Sequence, residues 1–251
     1  MSGTSTSHRS DGSPDPRSDR LKRWVGAPLA AAGLAAASIV ITASPVFRAK
    51  TIEVVGNHRL PDARIIREAG LHRGTNVFWF HGSTAERRLG RDPWLASASV
   101  SRRLPSTIRI AVKERHPASR VQVGSTWLLV ATDGVVLGFT THPPPVPSLP
   151  AAGSLRLGGR SPDLAAPARV AAGLDPWVRS RVASLHPSGD GELVLELSSG
   201  TRVLFGRPTD VLAKDRALAG IMRWAAHRGK RFRYVDLRAP LAPVARLVPG
   251  S

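Results

Sequence analysis

Histidine is the residue type in this chain best suited to do chemistry, and its spacing argues against that. The eight histidines, at 8, 58, 72, 81, 116, 142, 186 and 227, never fall three or four residues apart, so no helix turn presents two of them to one metal ion. There is no cysteine, which removes thiolate ligands, thiol nucleophiles and disulfides together. Asp190 and Glu192 bracket Gly191 as a carboxylate pair would, but Gly189-Asp190-Gly191 reads as a solvated turn. No G-x-S-x-G elbow, phosphate-cradling loop or dinucleotide fingerprint occurs. The expectation is a protein that is not an enzyme, with no catalytic residue, no metal and no cofactor.

Charge is the remaining resource. Lys and Arg number 36 against 18 Asp and Glu, a net charge of +18. Positive potential of that kind attracts any polyanion without choosing among them. The densest cluster is Arg102, Arg103, Arg109, Lys113 and Arg115, and it has no aromatic residues interleaved, so specific nucleic-acid binding is not expected. Non-specific contact with anionic lipid or wall polymer fits the charge.

The elements that must hold these groups begin with residues 24–47, WVGAPLAAAGLAAASIVITASPVF, which carry no charge. About 20 apolar residues at roughly 1.5 Å each cover a bilayer core, so 24–47 is expected to be a transmembrane helix, with Trp24 and Phe47 at its two interfaces. Residues 1–23 are Ser, Thr, Gly, Pro and charge, and read as a disordered tail. Arg17, Arg20, Lys22 and Arg23 crowd its end, and basic flanks stay inside, which makes the tail cytoplasmic and the bulk of the chain extracytoplasmic. The competing reading is a signal peptide cleaved near Ala43 and Ser44; Pro45 and the length of the uncharged stretch speak against it.

Beyond residue 50 the pattern is α+β. Thr51 to Val55 alternate as a strand before Gly56-Asn57. Residues 61–69 read as a helix with Pro61 at its first position and Gly70 as its stop. A second helix is expected from Ser83, capped reciprocally by Glu86, to about Arg91. Ala98 to Leu104 and Ile108 to Val112 alternate around Leu104-Pro105-Ser106-Thr107 as a hairpin. Two further hairpins turn at Asp133-Gly134 and Ser199-Gly200. His142 to Pro150 holds five prolines in nine residues and reads as an extended connector, and 162–174 as a short helix containing Pro167. Val211 to His227 repeats apolar residues at helical spacing, with Thr209 as cap; Arg233 to Arg238 is the last expected strand, before a Pro-rich tail.

Taken together, IEVVGN (52–57), WLASASVSRRLPSTIRIAVKERHPAS (94–119), TDGVVLG (132–138), VLFG (203–206) preceding Lys214, and YVDLR (234–238) resemble the FtsQ (DivIB) cell division family. The resemblance implies a transmembrane helix at 24–47, a POTRA domain of β-α-α-β-β order at 48–116, and a mainly antiparallel β domain with flanking helices at 117–248. It also implies a cell-membrane protein of single-pass type II topology at the division septum. In the family the POTRA domain is the recruiting unit and meets FtsK-type partners, while the far end of the β domain binds coiled-coil proteins of the FtsB/DivIC and FtsL type. FtsW-type and septal transpeptidase proteins are further expected neighbours. The family has no known catalytic activity. One departure is Ala239-Pro240 after YVDLR, where an aromatic residue is expected.

The expected working surface is the last strand and the helix before it: Arg233, Tyr234, Val235, Asp236, Leu237, Arg238 and Trp224. A last strand has an unpaired edge that can accept a partner's strand, with Val235 and Leu237 facing the core and Tyr234, Asp236 and Arg238 facing out. The alternative is an ordinary edge guarded by its arginines and Pro240. Two readings from other classes are a POTRA-type chaperone or assembly factor for envelope proteins, which calls for POTRA repeats or a membrane barrel, and a wall-active enzyme.

Overall fold

The computed structural model describes residues 31–151 and 153–249. The expected tail, 1–23, and the first part of the expected span, 24–30, lie outside the described residues. The described part of helix α1 covers 31–43, with exposed side chains throughout residues 31–41. It stops before Pro45, whose ring cannot continue an α-helix, and a 3₁₀ turn at Pro45–Phe47 follows. Among the described residues no helix is long and apolar enough to cross a membrane.

Residues 51–114 follow the expected order: β1 (Thr51–Val55), α2 (Asp62–Ala69), α3 (Gly82–Leu89), β2 (Leu95–Arg103) and β3 (Thr107–Glu114). The sheet order is β1-β3-β2, with β1 parallel to β3 and β2 antiparallel to it. Alternation puts Ile108, Ile110 and Val112 of β3 on the face that α2 and α3 cover, where they meet Ile65 and Leu89. Gly70 ends α2 in the left-handed conformation, with its amide and that of Leu71 donating back to Arg67 and Ile66 carbonyls.

Two expected caps are different. Pro61 lies at the N-cap of α2, one residue before its first turn. Ser83 does not cap α3, which begins at Gly82 after His81. The Glu86 carboxylate that was to complete that cap accepts instead from the Val100 amide at 2.8 Å, joining α3 to β2. A backbone donor of the sheet outcompeted a local one.

Beyond residue 116 the described residues form one mixed sheet of nine strands in the order β12-β11-β10-β9-β8-β7-β4-β5-β6. Its strands are β4 (Pro117–Val123), β5 (Thr126–Ala131), β6 (Val136–Thr140), β7 (Ser148–Leu149), β8 (Val182–Ser188), β9 (Glu192–Leu197), β10 (Arg202–Gly206), β11 (Phe232–Asp236) and β12 (Val244–Leu247). Both expected glycine hairpins are present. The proline-rich connector is more than a connector: its end, β7, pairs parallel with both β4 and β8 and joins the two halves of the sheet. Helices α4 (Pro162–Gly173), α5 (Pro176–Arg179) and α6 (Val211–Arg228) accompany it. Leu164, Ala168 and Leu218 from α4 and α6 join Leu185, Leu195, Val203 and Phe205 in the core. The N-cap of α6 is Asp210, in place of the expected Thr209, and its side chain makes no capping bond.

Candidate partner-binding site

Strand β11 is not the edge. It pairs in parallel with β10, Tyr234 opposite Arg202, and antiparallel with β12, Tyr234 opposite Arg246. The expected row of free backbone groups on 233–238 is therefore already taken, and the exposed edge among the described residues moves outward to β12. Four residues between prolines, all exposed and without alternating burial, carry no pattern that distinguishes a strand from a tail.

The side-chain expectations fare better. Val235 and Leu237 are buried in the core, 1% and 0% exposed, while Arg233 and Arg238 are exposed and Tyr234 and Asp236 half-buried. Releasing either side chain to meet a partner would cost about 2 kcal/mol in lost burial, so both are held facing the core. Asp236 and Arg238 are locked together, Arg238 Nη2 donating to Oδ2 at 2.6 Å and Nε lying 3.1 Å from both oxygens. The hydrogen bond from Arg238 holds the Asp236 carboxyl below the usual carboxylate range, against a smaller opposing effect of burial.

Trp224 of α6 is brought to the same end. It is 41% exposed and stacks on Phe232 of β11, ring centroids 5.9 Å apart, with the Arg228 guanidinium 5.1 Å from its ring. Gly220, Ile221, Trp224, Phe232, Ala245 and Leu247 line an apolar cleft of about 420 Å³ between α6 and the edge strand. On the other side of Ile221 and Phe232 lies a second cavity of about 270 Å³, bordered by Arg181, Lys230 and Arg231. Backbone donors and acceptors along β12 beside an apolar cleft are what an added strand with one or two apolar anchors needs.

The segments VLFG and YVDLR, with Lys214, support this end of the sheet. Gly206, the glycine of VLFG, has φ +72°, and a Cβ there would lie 2.8 Å from Cγ of Arg238, so the glycine leaves room for the last arginine of YVDLR. Lys214 is buried and donates from Nζ to the Arg207 carbonyl at 2.7 Å, holding the turn into α6; burial lowers its pKa. The Asp215 carboxyl beside it accepts from the Asp175 amide, and burial raises it.

The basic cluster is divided. Arg102 lies over the Phe80 ring and donates to its carbonyl, Arg103 lies 3.8 Å from Glu53, and Arg115 turns to Asp133. Asp190 occupies an exposed turn at φ 60°. Among the described residues no three His, Asp or Glu side chains converge as metal ligands. One charged residue that motif spacing does not single out is Glu114, whose buried carboxylate accepts from the Arg59 and Leu60 amides at 2.8 Å each. Its signal was parity, since it shares the inward face of β3 with Ile108, Ile110 and Val112.

A small β-α-α-β-β unit followed by a mixed sheet with an open terminal strand is the architecture of a protein built on a POTRA domain. Residues 47–115 match the family described as POTRA domain, FtsQ-type, and residues 119–238 match Cell division protein FtsQ/DivIB, C-terminal. The chain is 28% identical over 265 residues to cell division protein FtsQ of Streptomyces collinus, covering 98% of this chain and 99% of that one. It is 30% identical over 210 residues to FtsQ of Chloroflexus aggregans, covering 80% and 74%. Identity to cell division protein DivIB of Clostridium acetobutylicum is 31% over 93 residues, 37% of each chain. This chain belongs to the FtsQ/DivIB family. It is a cell division protein of the divisome, in a family of membrane-anchored scaffold proteins that interact with other division proteins and are not a known enzyme family.

Proposed function

We propose that this chain is a non-catalytic scaffold anchored by a single span at 24–47, with its N-terminus in the cytoplasm and residues 48–116 and 117–248 acting as POTRA and β domains outside. It links early and late division proteins and helps control septal peptidoglycan synthesis. Coiled-coil proteins of the FtsB/DivIC and FtsL type dock by adding a strand to β12, with Tyr234, Arg233, Arg238 and Trp224 as neighbouring side-chain contacts. FtsK-type, FtsW-type and transpeptidase partners meet other faces. The observation that carries this reading is the exposed β12 edge beside the cleft lined by Trp224, Phe232 and Leu247. Backbone pairing supplies attraction there, and the cleft supplies register.

The test is depletion and localisation in cells. A fluorescent fusion is expected at the septum, and depletion is expected to give filaments whose septal wall synthesis stops. Dispersed fusion and normal septation on depletion would contradict the proposal.

A further inference from the structure

The Asn76–Phe80 loop is held at the end of α1 by a specific set of bonds. Asn76 Nδ2 donates to the Thr42 carbonyl at 2.8 Å, in the last turn of α1. The same side chain's Oδ1 accepts from the Phe78 amide at 2.8 Å and the Trp79 amide at 3.3 Å. Val77 N donates to the Phe47 carbonyl, Arg48 bridges Asn76, and the Phe47 and Phe78 rings meet edge to face at 4.8 Å. Val77 and Phe80 point into the core at 0% and 8% exposure, whereas Trp79 is 56% exposed, as is Val46. One asparagine therefore both shapes the loop and fastens it to the helix end, and the product is an apolar surface of Val46, Phe47, Phe78 and Trp79 around the exit of α1.

The depth of that surface follows from length. If the uncharged stretch enters the bilayer core at Trp24, about 20 helical residues cross it, so it leaves near Ala43. Asn76 is bonded one residue from that point, and Trp79, three residues on, lies within about 10 Å of it along the chain. The headgroup layer is itself about 5–8 Å deep. Indole rings favour that layer, and exposed Arg48, Lys50 and Arg73 flank the loop with charge suited to anionic headgroups.

We propose that the Asn76–Phe80 loop is a membrane-contact element that seats Trp79 in the outer headgroup layer and fixes how the POTRA domain stands on the bilayer. The proposal rests on the reading of 24–47 as a span. It is tested with the full chain reconstituted in phosphatidylglycerol/phosphatidylethanolamine vesicles containing lipid brominated near the headgroup end of its acyl chains, in a Trp24→Phe background. Bromine is expected to quench part of the tryptophan emission, and that quenching is expected to vanish on Trp79→Phe and to weaken on Asn76→Ala, with circular dichroism melts unchanged for Trp79→Phe. Trp224→Phe is expected to leave it untouched. If the chain resists alkaline carbonate extraction but Trp79→Phe does not alter the quenching, the loop contact is wrong and the anchor stands. If carbonate releases the chain, the span is wrong and the loop contact falls with it.

Discussion

Arg115 Nε lies 3.1 Å from Asp133 Oδ2, an ion pair that ties the segment after β3 to the β5–β6 turn. The same guanidinium donates from Nη1 to the Pro93 and Leu95 carbonyls, and Arg160 Nη2 reaches Asp133 Oδ2 at 3.0 Å. Trp94 packs against both Leu95 and its neighbours and the cluster of Leu129, Val135 and Leu137, under the Arg59 guanidinium at 4.1 Å. The two units are thus joined by a planar cation that makes three directed contacts, a geometry lysine cannot copy.

That joint predicts an acid sensitivity. Burial alone would raise the Asp133 carboxyl, but the Arg115 hydrogen bond and charge, the Val135 amide and the Arg160 charge outweigh it and lower the pKa. A carboxyl with a lowered folded pKa contributes stability that is complete above its unfolded value, near 3.9, and lost as pH falls through the folded one. Asp133→Asn is therefore expected to lower stability at neutral pH and to flatten its acid decline. Thermal melts from pH 7 to pH 2 check this; parallel curves for parent and variant would refute it.

Glu114 predicts a larger local effect. Removing its carboxylate leaves the Arg59 and Leu60 amides without their acceptor, and each such donor costs about 1–3 kcal/mol. Glu114→Ala is expected to destabilise the chain by about 2–4 kcal/mol, with Glu114→Gln falling between it and the parent. Denaturant unfolding followed by hydrogen exchange at 59 and 60 measures it. A loss under about 0.5 kcal/mol would mean that water satisfies both amides.

The edge assignment predicts an asymmetric pair of proline variants. Along β12, successive amides point alternately to β11 and to the open side, so one of Ala245 and Arg246 donates inward and its neighbour outward. Ala245→Pro and Arg246→Pro are expected to differ: one lowers the melting temperature, the other spares it and weakens partner binding. Surface plasmon resonance against a coiled-coil division partner, with melts in parallel, distinguishes them. Equal binding by both folded variants would remove the edge from the interface.

Much of this architecture was legible because its signals are local and redundant. Ile108, Ile110 and Val112 alternate cleanly, Gly70 follows a helical run, and Asp133-Gly134 and Ser199-Gly200 sit between apolar segments, so strands, stops and hairpins each have two witnesses. What escaped depends on distant partners. Ser148-Leu149 is a strand only because β4 and β8 flank it, and Val244 to Leu247 only because β11 is beside it. Glu86 satisfied the local rule for a capping box, yet the Val100 amide, 14 residues away, had the stronger need. Of the candidate site, Trp224 and the 233–238 strand do lie together, but the free edge is one strand further out, on β12.

Addition of a partner strand to β12 beside Trp224 can be read out in living cells by photocrosslinking. A photoreactive amino acid placed in turn at Ala245, Leu247 and Trp224, and at Arg103 and Arg109 on the POTRA sheet as comparison, reports what each position touches at the septum. The first three are expected to crosslink a small coiled-coil division protein, and Arg103 and Arg109 are not. Crosslinks to that protein from Arg103 or Arg109, with none from β12, would contradict it.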